Sequence, residues 1–187
     1  MPRLFIAIPL STGLRSSLAE TAQELAPLSP NTSWVGTERI HITMRFLGEV
    51  SETAILKIEG AMDSAVRGHP PFLFEVCGLG AFPSPRRPRV LWAGIKTGKE
   101  EMSALHRSLS TELEGVGFPQ EERPFSAHIT LGRVRRPRTN NQLADRLKEE
   151  AETALGGESV ERLVLFKSTL LPQGAVYDEL YSANLKG

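Results

Sequence analysis

The tripeptide His-Ile-Thr occurs twice in this 187-residue chain, at 41–43 and at 128–130, and the copies lie 87 positions apart. The chain holds four histidines, and two of them open these copies. The same offset relates the neighbouring text: "LFIAI" at 4–8 falls on "LWAGI" at 91–95, and Leu18 and Ala22 fall on Leu105 and Leu109. A repeat carried by strands and helices together constrains the fold more than composition does, because each copy must supply the same elements in the same order.

Apolar periodicity gives those elements. Residues 3–8 form a short buried strand that ends at Pro9, and Ser11 or Thr12 caps a helix with Leu14, Leu18, Ala22 and Leu25 on one face. The strand "RIHITMRFLG" follows. Ser51 then starts a helix carrying Ile55, Ile58, Met62 and Val66, and "FLFEVCGL" is a strand once "GHPP" has ended that helix. The second copy runs through a strand at 91–95, a helix with Met102, Leu105, Leu109 and Leu113, and the second His-Ile-Thr strand. A helix with Leu143, Leu147 and Ala151 and the strand "ERLVLFKSTL" complete it, and the turn "LPQG" leads to a final strand at 176–185. The unit is β-α-β-α-β written twice, over 3–79 and 90–169, with no linker between. The pattern predicts one α+β domain over 1–187: a duplicated, bilobal fold with pseudo-two-fold symmetry. Two mostly antiparallel sheets would line a central cleft, with helices outside.

Apolar residues at 40% and charged residues at 24% suit a globular chain. Lys+Arg and Asp+Glu are both 22, so bulk charge points to no long nucleic-acid track, although Arg-Arg-Pro-Arg occurs at 86–89 and again at 135–138. The single Cys77 leaves no intrachain disulfide and points to a reducing, cytoplasmic setting. The apolar run in "MPRLFIAIPL" is too short for a signal peptide or a membrane span. A monomer with no membrane contact and no obligatory protein partner is the expectation.

On a strand, residues i and i+2 share a face, so His41 projects with Thr43 and His128 with Thr130, while the isoleucines turn inward. Across a cleft, two imidazoles supply a general base and a general acid near neutral pH. Two hydroxyls and an arginine supply donors for a phosphate-like group. Simple alternation puts Arg45 on the histidine face and Arg133 on the opposite one; Gly132 permits a bulge that would re-aim Arg133. On residue grounds His69 reads as a loop residue, His106 as structural, and Phe46, Phe82 and Trp92 as core. The two Arg-Arg-Pro-Arg runs read as solvated loops with RNA contact left open. No HExxH, CxxC or tight carboxylate cluster marks a metal site, no G-x-S-x-G marks a serine hydrolase, and "GLGAFPSP" lacks the lysine of a phosphate-binding loop. No metal and no cofactor are expected.

Two His-x-Thr motifs in a duplicated α+β chain of this length resemble the 2H phosphoesterase superfamily. Within it, "RLFIAIPL", "WVGTERIHITMRFLGEV", "GLGAFPSPRRPRVLWAGI", "FSAHITLGRV" and "LVLFKSTLLPQGAVYDELYSANL" look like the RNA 2′,3′-cyclic phosphodiesterases, also called LigT-like 2′-5′ RNA ligases. The resemblance spans nearly the whole chain. It implies His41 as proton donor and His128 as proton acceptor, Thr43, Thr130 and Arg133 as phosphate-binding residues, and Phe46 as a nucleobase contact. Ala127 stands before the second histidine, where the family often has proline. The implied reaction is metal-free, in-line hydrolysis of an RNA 2′,3′-cyclic phosphate end to a 2′-phosphate. With an RNA 5′-hydroxyl in place of water, the same site would join or cleave a 2′-5′ linkage. A phosphoesterase acting on another cyclic nucleotide and a non-catalytic RNA-end binder are the alternatives.

Overall fold

The computed structural model describes residues 1–172 and 174–187; Gln173, within the expected "LPQG" turn, lies outside the described residues. The elements are β1 (Arg3–Pro9), α1 (Thr12–Leu25), β2 (Thr32–Trp34), β3 (His41–Glu49), α2 (Glu52–Ala65), β4 (Phe72–Phe82) and β5 (Val90–Ile95). They continue with α3 (Lys99–Gly115), β6 (His128–Val134), α4 (Asn141–Glu149), β7 (Ala154–Val160), β8 (Arg162–Leu171) and β9 (Gly174–Asn184).

The helices start and bury themselves for local reasons. Ser11 Oγ accepts the amide of Leu14 at 3.2 Å, and Asn140 Oδ1 accepts that of Leu143 at 3.0 Å, each satisfying a donor that the first turn leaves free. The apolar faces predicted for α1 and α3 are the ones buried. Ser51 occupies the cap position of α2, but its hydroxyl meets that of Thr53 at 3.1 Å instead of capping. Helix α4 ends at Glu149, so Ala151 lies beyond it.

The expectation of two sheets is corrected. The strands form one sheet in the order β7-β4-β5-β6-β3-β1-β8-β9, with β2 on β6, and every strand pair in it is antiparallel. The halves join where β3 and β6 pair through Ile42 and Ile129, both 0% exposed. Two separate sheets would leave the backbone at Ile42 and Ile129 unpaired in the middle of the molecule, and buried backbone donors and acceptors do not stay unpaired. The late strand β8 lies on the early β1, and β4 lies on β5. Helices α1 and α4 pack towards β6, β7 and β4, whereas α2 and α3 pack together and against β9 and β3. The buried apolar side chains form one cluster running through both halves.

Strand β7 was not foreseen, because "ALGGESV" has no apolar alternation; it is recruited by pairing along the exposed edge of β4. Among the described residues no helix is long and apolar enough to cross a membrane. Close packing requires glycine in the strand that ends beside His128: a Cβ on Gly80 would lie 2.3 Å from the ring of Trp92. Gly80→Ala should therefore cost about 1–3 kcal/mol of stability through overpacking. A thermal or urea melt indistinguishable from that of the parent protein would contradict this account of Gly80.

Candidate active site

His41 opens β3 and His128 opens β6. The Ile42–Ile129 pair holds these strand ends side by side and sends both isoleucines into the core, so the residues flanking them face the other way. Each imidazole is then oriented by its own backbone. His41 Nδ1 donates to the carbonyl of Arg39 at 2.7 Å, and His128 Nδ1 donates to that of Ser126 at 2.7 Å. A carbonyl only accepts, so the Nδ1 hydrogen is fixed in both rings and Nε2 is left for chemistry. The hydroxyl of Thr43 donates to His41 Nε2 at 2.9 Å.

Two bulges decide what else faces the cleft. Pairing of β3 to β1 runs through Ile42, then Thr43, then Arg45, which leaves Met44 as an extra residue. Pairing of β6 to β5 runs through Ile129, then Thr130, then Gly132, which leaves Leu131 as the extra residue. Beyond each bulge the alternation of side chains reverses. This overturns the expectation from simple alternation: Arg45 turns inward and is 4% exposed, whereas Arg133 is exposed and lines the cleft. Gly132 accommodates the bend, since a Cβ there would lie 2.6 Å from Thr32 Cγ2 and 2.8 Å from the Trp34 ring. Arg45 instead donates to the carbonyl of Pro119 and sits 3.6 Å from the carboxylate of Glu121.

The cleft, about 440 Å³, brings together His41, Thr43, Phe46, Thr130 and Arg133. His128 does not line this cleft; it lines a second recess of about 310 Å³ with Phe82 and Trp92. Burial pushes the His41 imidazole below the usual histidine range; the Nδ1 bond to Arg39 opposes that, and the positive charges of Arg133 and His128 add to it. The neutral form of His41 is thereby favoured. Among the described residues, no group of three or more His, Cys, Asp or Glu could hold a metal ion.

The family model of the 2′-5′ RNA ligase superfamily matches residues 14–169. The chain belongs to that superfamily. It is 34% identical over 178 residues to the RNA 2′,3′-cyclic phosphodiesterase of Methanothermobacter thermautotrophicus, covering 95% of this chain and 96% of that one. The Thermotoga maritima protein of the same name is 34% identical over 185 residues, covering 99% and 96%. The crystal structure of TT0787 from Thermus thermophilus matches with a TM-score of 0.83 at 28% identity, over 99% of this chain and 98% of that one. The E. coli LigT complex with 3′-AMP shares the fold, with a TM-score of 0.78 at 23% identity over 100% and 99%.

In this member of the superfamily, the aromatic surroundings of the histidines escaped the sequence reading. His41 lies 5.0 Å from the Phe5 ring and 5.7 Å from Tyr177, and His128 meets Phe82 edge-on at 5.2 Å. Phe82, expected in the core, is 38% exposed, and Phe46 is 60% exposed. Phe5 paired with Phe166, and Ser168 with Tyr177, bring the aromatic wall together across three strands, which no local pattern announces. His106 is structural as expected, stacked on Phe125 at 4.3 Å, and its imidazole is also pushed down, by burial and then by Arg45 and Arg107.

The bulges make the two arginines separable. Arg45→Ala should cost about 1–3 kcal/mol, since it empties a buried site and frees a carbonyl. Arg133→Ala should change stability by no more than about 0.5 kcal/mol. Chemical denaturation of the two variants checks this, and the reverse ranking would mean that the alternation is unbroken.

Proposed function

We propose that this protein opens RNA 2′,3′-cyclic phosphate ends with water, leaving a 2′-phosphate and a 3′-hydroxyl. The observation that carries the reading is the matched pair of imidazoles, each tied through Nδ1 to a carbonyl two residues back, with His41 Nε2 2.9 Å from the Thr43 hydroxyl and Thr130 and Arg133 lining the His41 cleft. The names of the relatives supply the substrate. His128 accepts a proton from water as its oxygen bonds to phosphorus. The bond from phosphorus to the 3′ oxygen breaks, and His41 delivers a proton to that oxygen. Thr43, Thr130 and Arg133 hold the non-bridging oxygens, whose charge grows in the transition state. Phe46 offers its exposed ring to the terminal base. His41 must carry a proton to act, and the anionic phosphodiester opposes the burial and positive charge that keep it neutral beforehand. No step needs a metal or a cofactor, and a monomeric, cytoplasmic enzyme fits the reading.

We also read the chain as a duplication, with units over 3–79 and 90–169. Supporting this are the strand order, which runs outwards from β3–β6 as β1, β8, β9 on one side and β5, β4, β7 on the other, and the bulges at Met44 and Leu131. A second activity is favoured by one feature: the recess beside His128, walled by Phe82 and Trp92, offers room for a nucleoside bearing a 5′-hydroxyl. Such a hydroxyl in place of water would give a 2′-5′ linkage.

The primary test is incubation with an RNA bearing a 2′,3′-cyclic end. The expected product is the 2′-phosphate; a 3′-phosphate or unchanged RNA refutes the reading. His41→Ala and His128→Ala should each lower kcat by about a hundredfold or more, and Arg133→Ala should lower kcat/KM by about tenfold or more. Activity should survive a chelator, and a loss reversed by a divalent ion would remove the metal-free scheme. The kcat/KM profile should be a bell. Because His41 is pushed down, the singly protonated pair persists to lower pH, so the acidic limb should fall below about 6.5. Both limbs above that value would contradict the lowered His41.

A further inference from the structure

The two Arg-Arg-Pro-Arg runs take no part in the site described above, yet the fold joins them. One lies in the loop after β4 and the other in the loop after β6. The amide of Asn140 donates to the carbonyl of Arg86 at 3.0 Å, and the amide of Val134 donates to that of Arg89 at 2.9 Å. The six arginines of the two runs are all exposed, and none of them is in an ion pair among the described residues. No acidic residue interrupts either loop, over 83–90 or 133–140. Between the loops is a hollow of about 230 Å³, floored by Asn31 and Pro88 and rimmed by Arg136 and Arg138. The second run begins two residues after Arg133, which lines the His41 cleft.

From this placement we propose that the joined loops form a track for the sugar-phosphate backbone of a single-stranded RNA whose 3′ end sits in the cleft. The proposal rests on the RNA reading above and extends it from the terminal phosphate to the strand behind it. In a chain of zero net charge, six unpaired guanidinium groups on two loops hydrogen-bonded to each other are a local field suited to a polyanion, and arginine forks match phosphate oxygens. Prolines in both loops hold the guanidinium groups' backbone in place before binding, which lowers the ordering cost. Arg133 belongs to the catalytic cleft and the six outer arginines to the track, so short and long substrates should feel them differently.

The experiment compares adenosine 2′,3′-cyclic phosphate with a 12-nucleotide RNA ending in a 2′,3′-cyclic phosphate. It uses the parent and a variant carrying Arg86→Gln, Arg87→Gln, Arg136→Gln and Arg138→Gln. The 12-mer's KM should rise about tenfold or more, and its log–log salt slope should flatten by about 2 to 3, near 0.7 for each phosphate no longer neutralised. The mononucleotide's kcat and KM should stay within about twofold of the parent's. The four matching lysine substitutions should keep the salt slope. Equal effects on both substrates, or none on the 12-mer, would overturn the track. Fluorescence anisotropy with a 12-nucleotide RNA ending in a 3′-hydroxyl measures the track without catalysis. Loss of affinity in the glutamine variant supports it even if neither cyclic phosphate is opened, an outcome that would sink only the hydrolytic reading. Tighter binding of polyglutamate than of this RNA would overturn the proposal in favour of an acidic protein partner.

Discussion

The site depends on one backbone contact, the pairing of β3 with β6 through Ile42 and Ile129. Both side chains are 0% exposed, so slipping either strand by one residue would drive a histidine or a threonine into the core. The hydrophobic effect on two isoleucines thereby fixes the direction of four polar neighbours that it does not touch. The same contact merges what would be two sheets into one and brings residues that are far apart in sequence to a common surface. The placement of the candidate catalytic groups is a by-product of core packing.

Electrostatics follows from that placement. Burial, and after it the positive charges of Arg133 and His128, push the His41 imidazole below the usual histidine range. In the proposed mechanism this makes the resting site a receptor awaiting an anion: the phosphate that needs a proton donor is also the charge that restores the proton to His41. Tyr177 and Phe5 contribute by lowering the polarity around His41 while leaving its Nε2 beside Thr43. Threonine is a suitable neighbour because its hydroxyl donates to the neutral ring and accepts from the protonated one.

Much of this was legible in the chain, and what was not has physical causes. Helices α1 to α4 announce themselves through apolar faces such as Leu14, Leu18, Ala22 and Leu25, and His41-Thr43 and His128-Thr130 follow from a period of two. The positions of Arg45 and Arg133 do not, because a bulge adds one residue and leaves no periodic trace; Gly132 hinted at one bulge, and nothing hinted at the one at Met44. Strand β7 is held by edge pairing rather than by its own pattern, and the single sheet is a matter of partner choice between strands far apart in sequence. Phe82 and Tyr177 were hidden for a similar reason: an aromatic beside a histidine looks, in one dimension, like an aromatic in a core.

The proposed duplication would, if perfect, give two equivalent histidines and no way to tell a leaving oxygen from an attacking one. The offset of 87 places Phe46 on Arg133, and the matched bulges turn both to the same cleft. An exposed ring therefore stands where its counterpart carries a guanidinium. In the proposed reading one takes the face of a base and the other the oxygens of a phosphate, so a nucleotide end would enter in one orientation. The strand behind it is then carried towards the side where the arginine loops lie. In the proposed mechanism His41, which shares the cleft with Phe46, meets the 3′ oxygen, and His128, on the far side of the phosphorus, meets whatever attacks. On this reading the duplication would supply two catalytic groups, and a single pair of substitutions on that symmetry would assign their roles.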